Sequence, residues 1–466
     1  MVFISIDRKS SVSLTSQIYN YLRESVLNGT LLQEEKLPST RELSKILNVS
    51  RNVVIESYEQ LIAEGYAYAK DGSGTYVCKG TLLKKSPENN YTCQKATDTI
   101  EKNNPDTICF RTGIPDLSSI PIKKWGQIYR DISLSITPSQ MDYQTSFGEY
   151  SLRYQLSLYL NQVRGVNTTP HNIVITNGAA QAFSLLCGLI SNNQYALVEN
   201  PLSYGILHTL KSNNVNLRAI PVDQFGMITS DLPDIPVKLI FTTPSHQFPT
   251  GVILPINRRI EMIKYARKHD SFIVEDDYDS EFRFNGDPIQ SMQHLDESRV
   301  IYVGTFSKTL MPALRIGYLV LPDSLCAQLK EAKYVADLHS PILEQLTLEK
   351  FIETGLLNRH IKKMRKLYLQ KRNQLIKCLN ITFGDKVIIS GADAGMHLVA
   401  TFRDVCFGDS MLKKITDSGI QISSINQHYI SPSSDELYNH SLIFGYGNTN
   451  MESISPGVNR LQKIIN

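Results

Sequence analysis

The stretch Gly304-Thr305-Phe306-Ser307-Lys308-Thr309-Leu310, with Arg315 seven residues beyond the lysine, follows the apolar run Val300-Ile301-Tyr302-Val303. Four consecutive apolar residues ahead of a Gly-Thr step read as a buried strand, which places Lys308 in the loop after it. An amine that forms a Schiff base must be part-desolvated, so that it is neutral often enough to attack an aldehyde. Hydroxyls at 305 and 307, with the Arg315 guanidinium, make a donor set that can hold a phosphate beside that amine. A lone lysine is ordinarily a solvated surface residue. The pattern therefore needs support from elsewhere in the chain.

Two further runs supply it. Ile273-Val274 opens onto Glu275-Asp276-Asp277-Tyr278-Asp279, an apolar strand ending in acids and a tyrosine. A carboxylate at such a strand end is where a pyridinium nitrogen finds its counter-ion, the pairing that makes pyridoxal phosphate an electron sink. The same acids could serve a metal ion, but no histidine stands beside them at ligand spacing, and no metal is expected. Upstream, Ile173-Val174-Ile175 leads into Thr176-Asn177-Gly178-Ala179-Ala180-Gln181. Strand, glycine turn and helix start leave free N–H groups that can bind phosphate. A glycine turn before a helix is common by itself, so the weight rests on the three segments together.

Around these segments, about 360 residues alternate strand-like and helix-like stretches, which predicts an α/β body over 107–466 with a smaller C-terminal subdomain from about 345. The break at 79–106, polar and rich in Lys, Asn, Thr and Glu, reads as a flexible linker. The whole chain has 466 residues, 48 Lys+Arg against 45 Asp+Glu, and a formal charge of +3. That balance excludes a polyacidic or supercharged protein and leaves nucleic-acid binding to a local patch. Seven scattered cysteines, never spaced C-x-x-C, exclude a disulfide scaffold or zinc ribbon. No apolar run reaches membrane-span length, and Asp7-Arg8-Lys9 comes too early for a signal peptide, so a cytoplasmic location is expected.

Residues 1–78 carry three helical patterns and a hairpin. Ile18, Leu22 and Val26 share a face that Gly29 ends; Ser39 with Glu42 forms a capping box ahead of Leu43, Ile46 and Leu47. Ser50 is placed to cap a third helix bearing Val54, Tyr58, Leu61 and Ile62, and Gly72-Ser73-Gly74 turns the hairpin. This is the order of a winged helix-turn-helix, whose third helix enters the major groove of double-stranded DNA. Residues 1–80 hold nine basic and nine acidic side chains, so affinity for DNA must rest on placement. Arg41 and Arg51-Asn52 sit in first helical turns, where this motif meets phosphates and base edges. A lone surface arginine is more often merely solvated.

The segment LPSTRELSKILNVSRNVVIESYEQLIAEGYAYAKDGSGTYV (37–77) resembles the winged-helix domain of the GntR regulators, and the whole chain from about 12 to 460 is similar to their MocR/GabR branch. The blocks that carry this are FRTGIPDLSSIP (110–121), YQTSFGEYSLR (143–153), TPSHQFPTG (243–251), EDDYDSEF (275–282), GTFSKTLMPALRIGY (304–318) and AGMH (394–397). The resemblance implies a fold-type I aminotransferase-like body, with a large, mostly parallel sheet and a small α+β subdomain, that binds pyridoxal 5′-phosphate. Residue by residue it implies that Lys308 is the Schiff-base lysine, Asp276 pairs with the pyridine nitrogen and Tyr278 bonds the ring hydroxyl. It assigns the phosphate to Gly178, Ala179, Ala180, Thr305, Ser307 and Arg315, and to Tyr143 from a neighbouring subunit, hence a homodimer. DNA contact falls to Ser39, Thr40, Arg41, Ser50, Arg51, Asn52 and the wing Gly72, Ser73, Gly74.

Three departures stand out. Glu34-Glu35 replace the family's Gly-Asp. Ser203 occupies the family's ring-stacking aromatic position, and Tyr204, one residue on, is expected to stack instead. Between Arg403 and Arg460 there is no arginine, where aminotransferases clamp a substrate carboxylate; Asn439–Tyr446 offers only hydroxyls, an amide and His440, read as a surface residue. The function expected is a transcriptional regulator sensing pyridoxal phosphate itself, or an amine or amino acid. An aminotransferase with an accessory DNA-binding head is the alternative, and a DNA-binding protein with an inert body the third reading.

Overall fold

A computed structural model describes residues 4, 6–83, 106–284, 286, 289–430 and 439–465. The chain divides into two compact units, Met1–Lys102 and Asn103–Asn466. Of the expected linker at 79–106, only 79–83 and 106 lie within the described residues.

In the first unit α1 (Leu14–Leu27), α2 (Thr40–Leu47) and α3 (Arg51–Ala63) precede β1 (Ala67–Lys70) and β2 (Gly74–Val77). The strands pair antiparallel, from Ala67 opposite Val77 to Lys70 opposite Gly74. Ile18, Leu22, Val26, Leu43, Val54, Tyr58 and Leu61 close the core, each worth about 1.5–3 kcal/mol of burial for the larger aliphatics. Three details differ from expectation. Ile46 is 58% exposed and Ile62 also lies at the surface. In the two-turn α2, Leu43 and Leu47 are four apart and share the inner face, while Ile46 sits about 100° round the helix from Leu47. Ser50 occupies the N-cap of α3, but its side chain makes no capping bond. Ser39 does cap α2, accepting from the Glu42 amide. Glu34 adopts φ 62°, the left-handed conformation that the family's glycine takes without strain.

In the second unit β3 (Ile108–Cys109) comes first, followed by a large sheet built from β4 (Ile173–Thr176), β5 (Tyr195–Asn200), β6 (Leu217–Asp223), β7 (Gly226–Met227), β8 (Val237–Thr242), β9 (Phe272–Asp277), β10 (Val300–Thr305) and β11 (Gly317–Val320). The order across it is β4-β11-β10-β9-β8-β5-β6-β7. From β10 to β6 neighbouring strands are parallel; β11 runs antiparallel to both neighbours, and β7 to β6. Strands buried on both faces explain the continuous apolar runs Ile173–Ile175 and Val300–Val303. The carboxyl ends of β5, β8, β9 and β10 share one edge, the side on which open α/β sheets bind ligands.

The smaller subdomain has β12 (Val387–Ser390), β13 (His397–Phe402), β15 (Ser423–Ser424) and β16 (Ser441–Gly445) in one antiparallel sheet, while β14 (Ile420–Gln421) pairs in parallel with β3. Ile108 and Phe110 are thus buried with Phe444 and Leu461, residues distant from them in sequence. The helix Ile342–Glu353, which spans the expected start near 345, buries Leu348 and Phe351 against Trp125 and Leu152 of the large core. The subdomain's own helix begins at Leu356 and runs to Phe383. A buried ion pair, Lys371 to Asp116 at 2.7 Å, ties that helix to the segment just after β3.

Candidate functional site

The carboxyl edge of the large sheet borders a cavity of about 360 Å³ lined by Lys308, Asp276, Tyr278, Thr305, Ser307, Arg315, Ala179, Ala180 and Tyr204. Nine residues singled out in the sequence therefore face one space, within the range of small-ligand sites. β10 ends at Thr305 and presents Lys308 from the loop beyond it. The Lys308 ammonium donates to the Gly113 carbonyl at 2.6 Å. Burial lowers its pKa, partly offset by Asp279 and Asp276 and reinforced by Arg315. Such an amine is the easier to deprotonate.

Asp276, at the end of β9, lies at the cavity wall. Burial, with Asp277 next to it, pushes its carboxyl up to about 7. Among the described residues no hydrogen bond reaches it. A cationic ring nitrogen satisfies such an acid. Tyr278 donates its hydroxyl to the His246 carbonyl at 2.9 Å and lies 3.1 Å from His246 Nδ1. Asp277 points the other way, to the buried Arg164 at 2.7 Å, which also bonds Ser245 and the Ile289 carbonyl. That pair anchors β9 beneath the site.

The anion end is equally built. Gly178, at φ 82°, opens the helix Ala179–Cys187, and its missing side chain leaves room for Arg315: a Cβ there would stand 2.6 Å from Arg315 Nη2. Arg315 donates to the Asn177 carbonyl at 3.0 Å, and the Ser307 amide donates to Thr305 Oγ1 at 3.2 Å. Helix N–H groups, hydroxyls and a guanidinium there make a donor set of the kind that can hold a phosphate. An anion-binding donor set, an unmatched acid and an amine lining one cavity fit pyridoxal phosphate.

Tyr204 lines the cavity but is 59% exposed, and its ring centroid lies 4.0 Å from that of His208. Ser203 stands at the N-cap of the helix Tyr204–Ser212, without a side-chain capping bond, and lines the cavity too. Tyr143 stands apart, 80% exposed, against His339. His440 does not line the cavity; it bonds the Val405 carbonyl through Nδ1.

Four further lining residues, Phe248, Met396, His397 and His428, were not singled out as site residues from the sequence. Sequence reading also found no histidine beside the acids, yet His246 bonds Asp279 at 3.0 Å and His397 lies against His246, with ring centroids 4.7 Å apart. These residues are separated by 30 to 150 positions, so spacing carried no signal. The quoted blocks HQFPTG and AGMH were the available hint.

In the head, Arg51 Nε donates to Thr40 Oγ1 at 3.3 Å, bringing the N-terminal turns of α2 and α3 together. Ser39, Arg41, Ser50, Arg51, Asn52, Gly72 and Gly74 are exposed, while Thr40 and Ser73 are half-buried. Ser73 also shares a hydrogen bond with Tyr76. Among the acids, Glu34 pairs with Lys79 and Glu64 bonds Tyr19 and Gln60, away from those turns.

Residues 106–435 match the profile of aminotransferase class I and II, and residues 14–77 that of the bacterial regulatory proteins of the gntR family. The probable rhizopine catabolism regulatory protein MocR of Rhizobium meliloti is 31% identical over 98% of this chain and 94% of its own. The pyridoxine biosynthesis transcriptional regulator PdxR of Corynebacterium glutamicum is 26% identical over 97% of this chain and 96% of its own. A kynurenine aminotransferase of Pyrococcus horikoshii, solved with PMP, superposes with a TM-score of 0.70 at 26% identity, covering 78% of this chain and 91% of that one. No helix among the described residues is long and apolar enough to cross a membrane. A winged head, a lysine-bearing aminotransferase body and relatives alignable from end to end place the chain in the MocR type of GntR-family HTH regulators.

Proposed function

We propose that this protein is a DNA-binding transcriptional regulator whose body takes pyridoxal 5′-phosphate and reports the state of that site to an operator. The carrying observation is that Lys308, Asp276, Ala179, Ala180 and Arg315 face a single cavity in a chain that also carries a winged helix. When bound, the cofactor supplies an aldehyde carbon and an electron-withdrawing ring. Lys308, its ammonium destabilised by burial, presents the amine to that carbon. Asp276 holds a proton at the ring nitrogen, Tyr278 faces the ring hydroxyl, and Arg315 with the Ala179 and Ala180 amides binds the phosphate. Tyr204 covers the ring where Ser203 cannot.

The head meets double-stranded DNA through Arg41, Arg51, Asn52 and the Gly72–Gly74 wing. Homodimer formation is supported by the exposed large hydrophobic side chains Leu134, Met141, Tyr143, Tyr150 and Tyr154 within residues 134–154 of the body. The cytoplasm is the compartment that such an operator requires. A residual aminotransferase activity is the second reading, favoured by the intact placement of Lys308 and Asp276 in the cavity.

Two measurements test the proposal. The purified protein with pyridoxal phosphate is expected to show a visible absorbance band that Lys308→Ala lacks. Footprinting of its upstream DNA is expected to change on adding the cofactor or its amine ligand. A colourless wild type would exclude the cofactor reading, and a footprint indifferent to every ligand would exclude sensing.

A further inference from the structure

The turn Asn177–Gln181 is braced by a carboxylate 160 positions further along the chain. Asn177 Nδ2 donates to Asp337 Oδ2 at 2.7 Å, and Gln181 Nε2 donates to the same oxygen at 2.8 Å. The Asn177 amide donates to Gln181 Oε1 at 2.8 Å, and the Asn177 carbonyl accepts from Arg315 Nη2 at 3.0 Å. An ionised carboxylate only accepts, so both side-chain amides must turn their nitrogens to it, which leaves Gln181 Oε1 for the Asn177 N–H. One oxygen thus holds both ends of the turn. Between them lies Gly178 at φ 82°, a residue with no side chain to restrain its backbone. The direction of the Ala179 and Ala180 N–H groups therefore depends on what holds the flanks.

Asp337 is itself held. It ends the helix Asp323–Asp337, one turn after Lys333 and on the same face. The wholly buried Lys333 ammonium donates to both Asp337 oxygens, at 2.5 and 2.6 Å, and to Ser340 Oγ at 3.2 Å. A buried ammonium is costly unless paired, so it keeps the carboxylate on the turn. An acid in the last turn of a helix is repelled by the exposed carbonyls there. Asp337 is thus poorly placed for its own helix and well placed for the turn it meets. Beyond it, Leu338 takes φ 60° and ψ −67°, a conformation that bulky residues rarely adopt.

We propose that Asp337, fixed by Lys333, is a positioning residue for anion recognition: it braces the Asn177–Gln181 turn so that the Ala179 and Ala180 amides and Arg315 meet a phosphate. This rests on the pyridoxal phosphate reading above and concerns the phosphate end alone.

The test compares pyridoxal phosphate with pyridoxal, which has the same ring and aldehyde but no phosphate. Apo full-length protein is titrated with each, following the visible absorbance, and the ratio of the two half-saturating concentrations is the readout. Lys333→Met combined with Asp337→Leu removes both buried charges together and leaves neither unpaired. In that double variant the preference for the phosphate should fall about tenfold, the size of one charge-assisted hydrogen bond, while pyridoxal binds within threefold of wild type. Gln181→Met breaks the same brace without touching a charge and should shift the ratio in the same direction; it carries the test if the double variant does not fold. A ratio that changes less than threefold, with both affinities falling together, makes the pair a support of the fold only and overturns the proposal. A wild type that binds the two compounds alike overturns the phosphate end of the cofactor reading and the proposal with it. Absence of any band overturns the cofactor reading as a whole.

Discussion

Gly178→Ala isolates the phosphate cradle. Gly178 has φ 82° and ψ 169°, a region that essentially only glycine occupies. Forcing alanine there costs about 1–3 kcal/mol of folding stability. The added methyl would also stand 2.6 Å from Arg315 Nη2, 2.9 Å from its Cζ and 3.0 Å from Nη1. No rotamer adjustment of the methyl is available, so the guanidinium must leave. Charge-assisted hydrogen bonds are worth about 1.5–3 kcal/mol, so cofactor affinity should weaken by about 10- to 150-fold. The assay is titration of the apo protein with pyridoxal phosphate by absorbance, alongside a thermal melt without cofactor. Gly126→Ala is the control, since a Cβ there meets nothing within 4 Å. Binding by Gly178→Ala within threefold of wild type would refute the cradle, whatever its melting temperature.

Other expectations follow from the same geometry. Arg51→Ala should weaken operator binding and reduce the slope of log K against log salt by about 0.9, the signature of one lost phosphate contact; an unchanged slope removes Arg51 from the interface. Arg164→Leu leaves Asp277 buried without its partner, 2.7 Å away in the native protein, and should cost about 3–5 kcal/mol in urea unfolding. The carboxyls of Asp276, Glu275 and Glu281 are each raised to about 7, chiefly by burial. Native pKa values above the unfolded ones mean that their contribution is full below about pH 4 and is lost as pH rises through about 7. Apo Asp276→Asn should therefore be more stable than wild type at pH 8 and show a shallower decline between pH 4 and 7. Parallel curves would place Asp276 in water.

Much of the site was legible because its parts are local. Val300–Val303 followed by Lys308 is a strand and its loop, and Gly178 ahead of Ala179 is a helix start; both depend on neighbours within about ten residues. The histidine cluster was not legible, because His246 comes from a loop, His397 from β13 and His428 from a short 3-10 turn. Nothing in their sequence separation encodes a 4.7 Å ring contact. The head shows the same division. Its helices follow from periodicity, but Ile46 faces out because only packing chooses between adjacent apolar positions.

The sequence by itself determined the parts: a winged head, an α/β body, a lysine in the loop after a buried strand, an acid at a strand end and a glycine turn opening a helix. Those follow from periodicity, strand-end chemistry and glycine's freedom at positive φ, all short-range properties. Tertiary structure alone decided what surrounds them. It threads Ile108–Phe110 into the small subdomain, sets the Gly113 carbonyl on Lys308 across 195 positions, and turns Asp277 away to Arg164 while leaving Asp276 unmatched. It also brings the imidazoles of His397 and His428 to the cavity wall. Sheet order and chain crossings produce those meetings, and they depend on the burial of the whole core rather than on any local pattern.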